Sequence, residues 1–165
     1  MKKIQVIAST VAVALAAATA SCHHIDNKRL PASAVNIVFW TQADWVTWGV
    51  SGAAQYRYFV RQTGVPQGYP YTVSTYTGFG GVLLCTSYAG EPLAYDLACP
   101  VECNSSVRVA INADMVAECP KCHSTYDVFS LMGNALSGPA ARDGYGLQVY
   151  RVAPGPKGEF MVVMP

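Results

Sequence analysis

The sequence predicts a single all-β domain behind an N-terminal export signal. Short apolar segments with alternating side chains recur over residues 35–163, and turns rich in glycine, proline and asparagine separate them. The composition agrees, because 14 glycines, 10 prolines and 10 tyrosines accompany only 13% charged residues. No long amphipathic helix is evident in the same range. We therefore expect an antiparallel sandwich or barrel-like architecture.

The first residues have the pattern of a secretory signal. Two lysines follow Met1, residues 4–20 form an apolar run, and small residues at 19–21 precede Cys22. This segment resembles a bacterial lipoprotein signal, in which the cysteine is lipidated and becomes the mature N-terminus. We therefore expect export to the periplasm, outer membrane or cell surface, with Cys22 as the lipid anchor. A transmembrane helix is the alternative, but polar residues interrupt the run, which is shorter than the about 20 apolar residues of a span.

The balance of charges gives no attraction for polyanions. The chain has 11 basic and 10 acidic residues, and removal of residues 1–21 would leave 9 basic and 10 acidic ones. A near-neutral domain lacks the basic surface that binds nucleic acid or anionic lipid. We therefore expect no nucleic-acid partner and a membrane contact through the anchor alone, while the sequence specifies no oligomeric state.

The elements follow from local patterns. Residues 22–34 are polar and broken by Pro31, which predicts a tether, and 35–165 then form one domain. Alternation predicts strands over 35–40 and 56–61 around a helical turn at 41–49, followed by a long glycine- and proline-rich connection. Further strands are predicted at 82–86, 93–95, 107–111, 115–118, 125–128, 147–152 and 160–163.

Four of the six cysteines form two closely spaced pairs. Cys99 and Cys103 make a CxxxC motif, and Cys119 and Cys122 make a CxxC motif followed by His123. Each pair begins with Cys-Pro after a predicted strand, so two turns could meet at one tip. This spacing is typical of metal ligands, and four thiolates bind zinc or a two-iron cluster. Exported proteins also form disulfides from such cysteines, and the spacing does not decide between the two outcomes.

The segment 98–152, about a third of the chain, resembles a Rieske iron–sulfur domain. The similarity lies in two Cys-Pro loops, the Ser-Thr-Tyr-Asp segment at 124–127, Gly133, the Gly-Pro-Ala segment at 138–140 and the closing strand at 147–152. In that family two cysteines bind one iron, two histidines bind the other, and a Gly-Pro loop covers the cluster. The resemblance implies an antiparallel sandwich with a two-loop tip, a [2Fe-2S] cluster and electron transfer with a redox partner protein.

The resemblance also assigns individual roles. It implies that Cys99 and Cys119 are the equivalent cysteine ligands and that the hydroxyls of Ser124 and Tyr126 hydrogen-bond the cluster sulfurs. It further implies that the cover loop consists of Gly138, Pro139 and Ala140.

The chain departs from the family at both histidine positions. The first holds Val101, which cannot bind a metal, and the second holds Cys122, with His123 at the usual glycine. Three outcomes stay open. A two-iron cluster or one zinc ion could be bound by Cys99, Cys103, Cys119 and Cys122, with His123 as an alternative cluster ligand. The third outcome is a metal-free tip with a Cys99–Cys119 disulfide, which the twin-lysine signal favours because proteins exported with a folded cofactor carry twin arginines.

Two classes of function follow. We expect electron transfer through a cysteine-rich [2Fe-2S] site, and the alternative is a cluster-free binding module stapled by zinc or a disulfide. For the second class, the aromatic residues between 40 and 76 could stack on sugars, although filling a core is their simpler role. No nucleophile motif accompanies His123, Asp96 or Asp127, so we do not expect a catalyst.

Overall fold

The chain folds into two antiparallel sheets, which confirms the predicted all-β class. The computed structural model describes residues 25–130 and 132–165, so the predicted signal, Cys22 and the first part of the tether lie outside it. Strands make up 34% and helices 11% of the structure. Within the described ranges, neither α-helix has the length and hydropathy to cross a bilayer.

The larger sheet contains seven strands and curls until it is nearly closed. Its strands are β1 (Val35–Phe39), β2 (Tyr56–Phe59), β3 (Tyr76–Thr77), β4 (Val82–Thr86), β5 (Pro92–Asp96), β10 (Val149–Ala153) and β11 (Met161–Met164). They lie side by side in the order β2-β4-β5-β10-β11-β1-β3. The smaller sheet has the order β6-β7-β8-β9, with β6 (Ala110–Ile111), β7 (Ala117–Glu118), β8 (Thr125–Asp127) and β9 (Asn134–Ser137).

Short helices connect some of these strands. Helix α1 (Gln42–Trp48) begins in a capping box, because Thr41 Oγ1 accepts from the N–H of Asp44 and the Asp44 carboxylate accepts from the N–H of Thr41. A 3₁₀ helix spans Arg61–Thr63, and α2 (Gly138–Asp143) follows β9 directly. Helix α1 confirms the helical turn predicted at 41–49.

Strand β4 explains why the apolar run at 82–86 does not alternate with polar residues. Its side chains enter two different cores, and all five residues are buried. Leu83 and Cys85 face the core between the two sheets, with Tyr95 and Tyr126. Val82 and Leu84 face the interior of the curled sheet, where Phe39 and Phe59 lie with ring centroids 5.9 Å apart, and where α1 also packs. A strand buried on both faces has a nearly continuous apolar sequence.

The segment before β1 packs on the domain more closely than the tether prediction implies. Leu30 is buried, and the N–H of Asp26 donates to the carbonyl of Gly144 at 2.8 Å. Arg29 Nε donates to the Pro100 carbonyl at 2.8 Å, and its guanidinium lies 4.3 Å from the ring centroid of Tyr145. Backbone pairing, one arginine and the single apolar residue Leu30 make these contacts, so no apolar periodicity predicts them.

Strands β3 and β9 and helix α2 were not predicted from the sequence. Gly133 lies in a turn, and Asn134 begins β9, which pairs with β8 across a register shift at Thr125/Tyr126. The side chains of β9 are half-buried or exposed, so the strand lacks an alternating pattern. Its position matters because it carries α2 towards the cysteine loops.

Candidate metal centre

The two cysteine pairs lie on loops of the same construction. The first loop leaves β5 through Cys99, and the second joins β7 to β8 through Cys119. In each loop the N–H of the fifth residue donates to the carbonyl of the first at 3.0 Å, from Cys103 to Cys99 and from His123 to Cys119. Both fifth residues have left-handed backbone, with φ of +46° at Cys103 and +56° at His123. Each loop therefore turns sharply just after its first cysteine.

Hydrogen bonds and an ion pair hold the loops in place. The N–H of Cys99 donates to the Val107 carbonyl, and the N–H of Cys119 donates to the Ser124 carbonyl, both at 3.0 Å. At the outer end, Lys121 of the second loop pairs with Glu102 of the first. This pair joins the two loops directly, beside the cysteines.

Three sulfur atoms converge between the loops. The Sγ atoms of Cys99, Cys119 and Cys122 all lie within 4.8 Å of one another, and those of Cys99 and Cys122 are 3.6 Å apart. Cys99 and Cys119 are buried, whereas Cys122 is partly exposed. A tetrahedral ion with metal–sulfur bonds of about 2.3 Å holds its sulfurs about 3.8 Å apart. We call these residues the three-cysteine group, and its spacing suits one metal ion.

Two buried hydroxyls contact the three-cysteine group. Tyr126 Oη lies 3.5 Å from Cys99 Sγ, and the Cys122 thiol donates to Ser124 Oγ at 3.2 Å. Ser124 Oγ also accepts from the N–H of Ala140 at 3.1 Å, so its own hydrogen is available to a thiolate at Cys122. The structure thus places Ser124 and Tyr126 beside the sulfurs.

The predicted cover segment forms the first turn of α2 and packs on Ser124. Gly138 has φ +78°, and a Cβ atom there would lie 2.8 Å from Ser124 Cα and 2.9 Å from Ser124 Oγ. Pro139 occupies the first turn, where its missing N–H costs nothing, and Ala140 is buried. This close approach requires glycine at position 138.

The thiols differ in how easily they ionise. Burial raises the pKa of Cys99 to about 12, although the hydrogen bond with Tyr126 opposes this shift. Burial also acts to raise the pKa of Cys122, but hydrogen bonds with Ser124 and the other two cysteines outweigh it and lower the pKa below its ordinary value. A bound cation would favour the thiolate form at each position.

The other proposed ligands lie apart from the three-cysteine group. Cys103 is exposed, and its thiol donates to the Pro100 carbonyl at 3.1 Å. His123 is exposed, and its Nδ1 lies 3.3 Å from a Glu118 oxygen. The structure therefore brings together three of the five predicted ligand residues. Cys85, given no role from the sequence, is buried and donates to the Val128 carbonyl at 3.4 Å.

One supporting residue was underestimated from the sequence. Asp96 is fully buried and accepts hydrogen bonds from the N–H groups of Phe79, Gly80 and Ala98 and from the hydroxyl of Tyr150, at 2.6–2.9 Å. Burial raises its pKa, while these hydrogen bonds oppose the shift. Since Asp96 lies just before the first loop, these hydrogen bonds fix the position at which the loop that carries Cys99 begins. The glycines around Phe79 were the sequence signal that the backbone of this segment approaches another group closely.

The aromatic residues considered for sugar stacking lie partly in the core. Phe59 and Tyr69 are buried, and Trp45 and Trp48 pack against the interior of the curled sheet. Trp40, Tyr56 and Tyr76 are exposed. Tyr58 and Tyr71 also pack against the two cores, so core packing accounts for six of these nine aromatic residues, as the simpler interpretation expects.

Comparison with known proteins gives no relative. No family model, curated protein or solved structure matches the chain.

Proposed function

We propose that the chain is an exported, lipid-anchored Rieske-like domain that binds one thiophilic metal ion through Cys99, Cys119 and Cys122. The single observation that supports this proposal is the convergence of these sulfurs, within 4.8 Å of one another, from two separate loops. Two of the thiols are buried, and a bound cation would offset the cost of burying their thiolate forms.

One ion fits the geometry better than a two-iron cluster. A [2Fe-2S] cluster takes four protein ligands, two on each iron. Among the described residues the group supplies three sulfurs, Val101 stands at the fourth position that the resemblance implies, and Cys103 turns its thiol to Pro100. Sulfurs that surround a single ion must all be neighbours, as these are. Electron transfer through a cluster is therefore the second candidate, favoured by the hydroxyls beside the sulfurs.

Zinc is the ion we expect, since thiolates select soft and borderline metals and zinc has no redox chemistry. The three thiolates would supply three of its four ligands, and Cys122 is the partly exposed one among them. In such a site the ion pins the two loops together and carries one exchangeable ligand.

The test is a titration of the reduced protein with Co²⁺ and then Zn²⁺ under anaerobic conditions. We expect one equivalent of Co²⁺ to give thiolate-to-metal absorption that Zn²⁺ abolishes. Cys99→Ser, Cys119→Ser and Cys122→Ser should each remove this absorption. Cys103→Ser is the matched control, because Cys103 lies in the same loop as Cys99 but its thiol is exposed and outside the group. Absorption that depends on Cys103, or purified protein with equal iron and sulfide, would overturn the proposal.

A further inference from the structure

We propose that Cys99 and Cys122 form a reversible disulfide, so that the proposed metal site is under redox control. This inference rests on the proposed function, because a disulfide between two ligands leaves Cys119 alone to bind the ion. The Sγ atoms of Cys99 and Cys122 are 3.6 Å apart, and a disulfide needs them at about 2.05 Å. The two residues belong to different loops, so the bond would replace the metal as the link between them.

The exposure of the thiols gives the reaction an order. Cys122 is the partly exposed member of the three-cysteine group, while Cys99 and Cys119 are buried. An oxidant arriving from solvent therefore meets Cys122 first. Cys99 then lies in reach as the second thiol. At 3.6 Å the two sulfurs are in direct contact, with no room for a water molecule between them.

The reaction balances with a small disulfide as oxidant. The thiolate of Cys122 attacks a disulfide RSSR, forms a mixed disulfide and releases one thiol RSH after protonation. The thiolate of Cys99 then attacks the Cys122 sulfur, the S–S bond between Cys122 and the RS group breaks, and the second RSH leaves after protonation. Two electrons pass from the cysteine pair to RSSR, and the two cysteine protons leave with the RSH products. The net change is one disulfide formed in the protein and the RSSR disulfide reduced to two thiols.

Oxidised glutathione, an RSSR, is the probe for this reaction. The metal-free reduced protein is incubated with it, alkylated and mapped by mass spectrometry of non-reduced peptides. We expect a Cys99–Cys122 linkage and a loss of Co²⁺ affinity of more than about 100-fold, which exceeds the cost of removing a residue that only supports a ligand. Reduction should restore the affinity fully. Zinc-loaded protein should oxidise more slowly, because zinc occupies both sulfurs. A Cys119–Cys122 or Cys99–Cys119 linkage, or no internal linkage, would overturn the inference.

A second variant separates this inference from the proposed function. Cys119→Ser removes one ligand of the proposed site but keeps the redox pair, so it should fail to bind Co²⁺ and still form the Cys99–Cys122 disulfide. Cys103→Ser should change neither result. If the wild-type protein forms the disulfide but never binds metal, the proposed function fails and the disulfide stands. If it binds one ion but forms no internal disulfide, the redox inference alone fails.

Discussion

Gly138→Ala tests whether α2 must approach Ser124 closely to hold the cysteine loops. Position 138 has φ +78°, which costs a non-glycine residue about 1–2 kcal/mol. The new methyl group would also lie 2.8 Å from Ser124 Cα, a contact with backbone that cannot rotate away. Overpacking of this kind costs a further about 1–3 kcal/mol. We therefore expect Gly138→Ala to lower the free energy of unfolding by about 2–5 kcal/mol.

Gly90→Ala is the matched control. Gly90 has φ +86°, but a Cβ atom there would have no heavy atom within 4 Å. Its substitution should therefore cost only the backbone term of about 1–2 kcal/mol. Urea unfolding of the reduced, metal-free variants measures both values. Because Ser124 contacts Cys122, Gly138→Ala should also weaken Co²⁺ binding by about tenfold, while Gly90→Ala should not. Equal losses of stability in the two variants would refute the steric argument.

Three further predictions concern the sulfurs and the residues that support them. Tyr126→Phe removes the hydroxyl beside Cys99 Sγ and should lower Co²⁺ affinity by about 10–100-fold, with one ion still bound. A competition titration measures this affinity, and an unchanged value would contradict the role of the hydroxyl. Since burial raises the pKa of Cys99 to about 12, binding must displace its proton, and metal affinity should rise by at least about tenfold per pH unit between pH 6 and 9. A flat profile would mean that Cys99 is not a ligand. Tyr150→Phe removes a hydrogen-bond donor to the buried Asp96 and should lower the free energy of unfolding in urea by about 1.5–3 kcal/mol. A loss below about 0.5 kcal/mol, the effect of a surface substitution, would show that the hydrogen bond is dispensable.

The parts of the fold that follow from the sequence are those with a simple side-chain period. The alternation at 35–39 and the continuous apolar run of β4 predict strands that the structure confirms, because burial on one face or on both leaves a direct pattern. Strand β9 and helix α2 leave no such pattern. β9 exposes half of its residues, and α2 has only six.

The sequence predicts which two loops meet at the site, but not all of its residues. The two Cys-Pro turns indicate a common tip, and the structure places Cys99, Cys119 and Cys122 there. Spacing alone does not reveal that Cys103 is excluded. Cys103 adopts φ +46° to close its loop, and in that conformation its thiol bonds the Pro100 carbonyl. The ion pair between Glu102 and Lys121 was also missed, since it depends on the loops lying side by side.

X-ray absorption on the anaerobically purified protein, with metal analysis of the same sample, shows whether three sulfurs from two loops bind one metal ion. We expect one zinc ion per chain with three sulfur neighbours at about 2.3 Å, and loss of these neighbours in Cys119→Ser. A pair of irons with bridging sulfide, or a metal whose sulfur neighbours survive the loss of Cys99 and Cys119, would contradict this expectation.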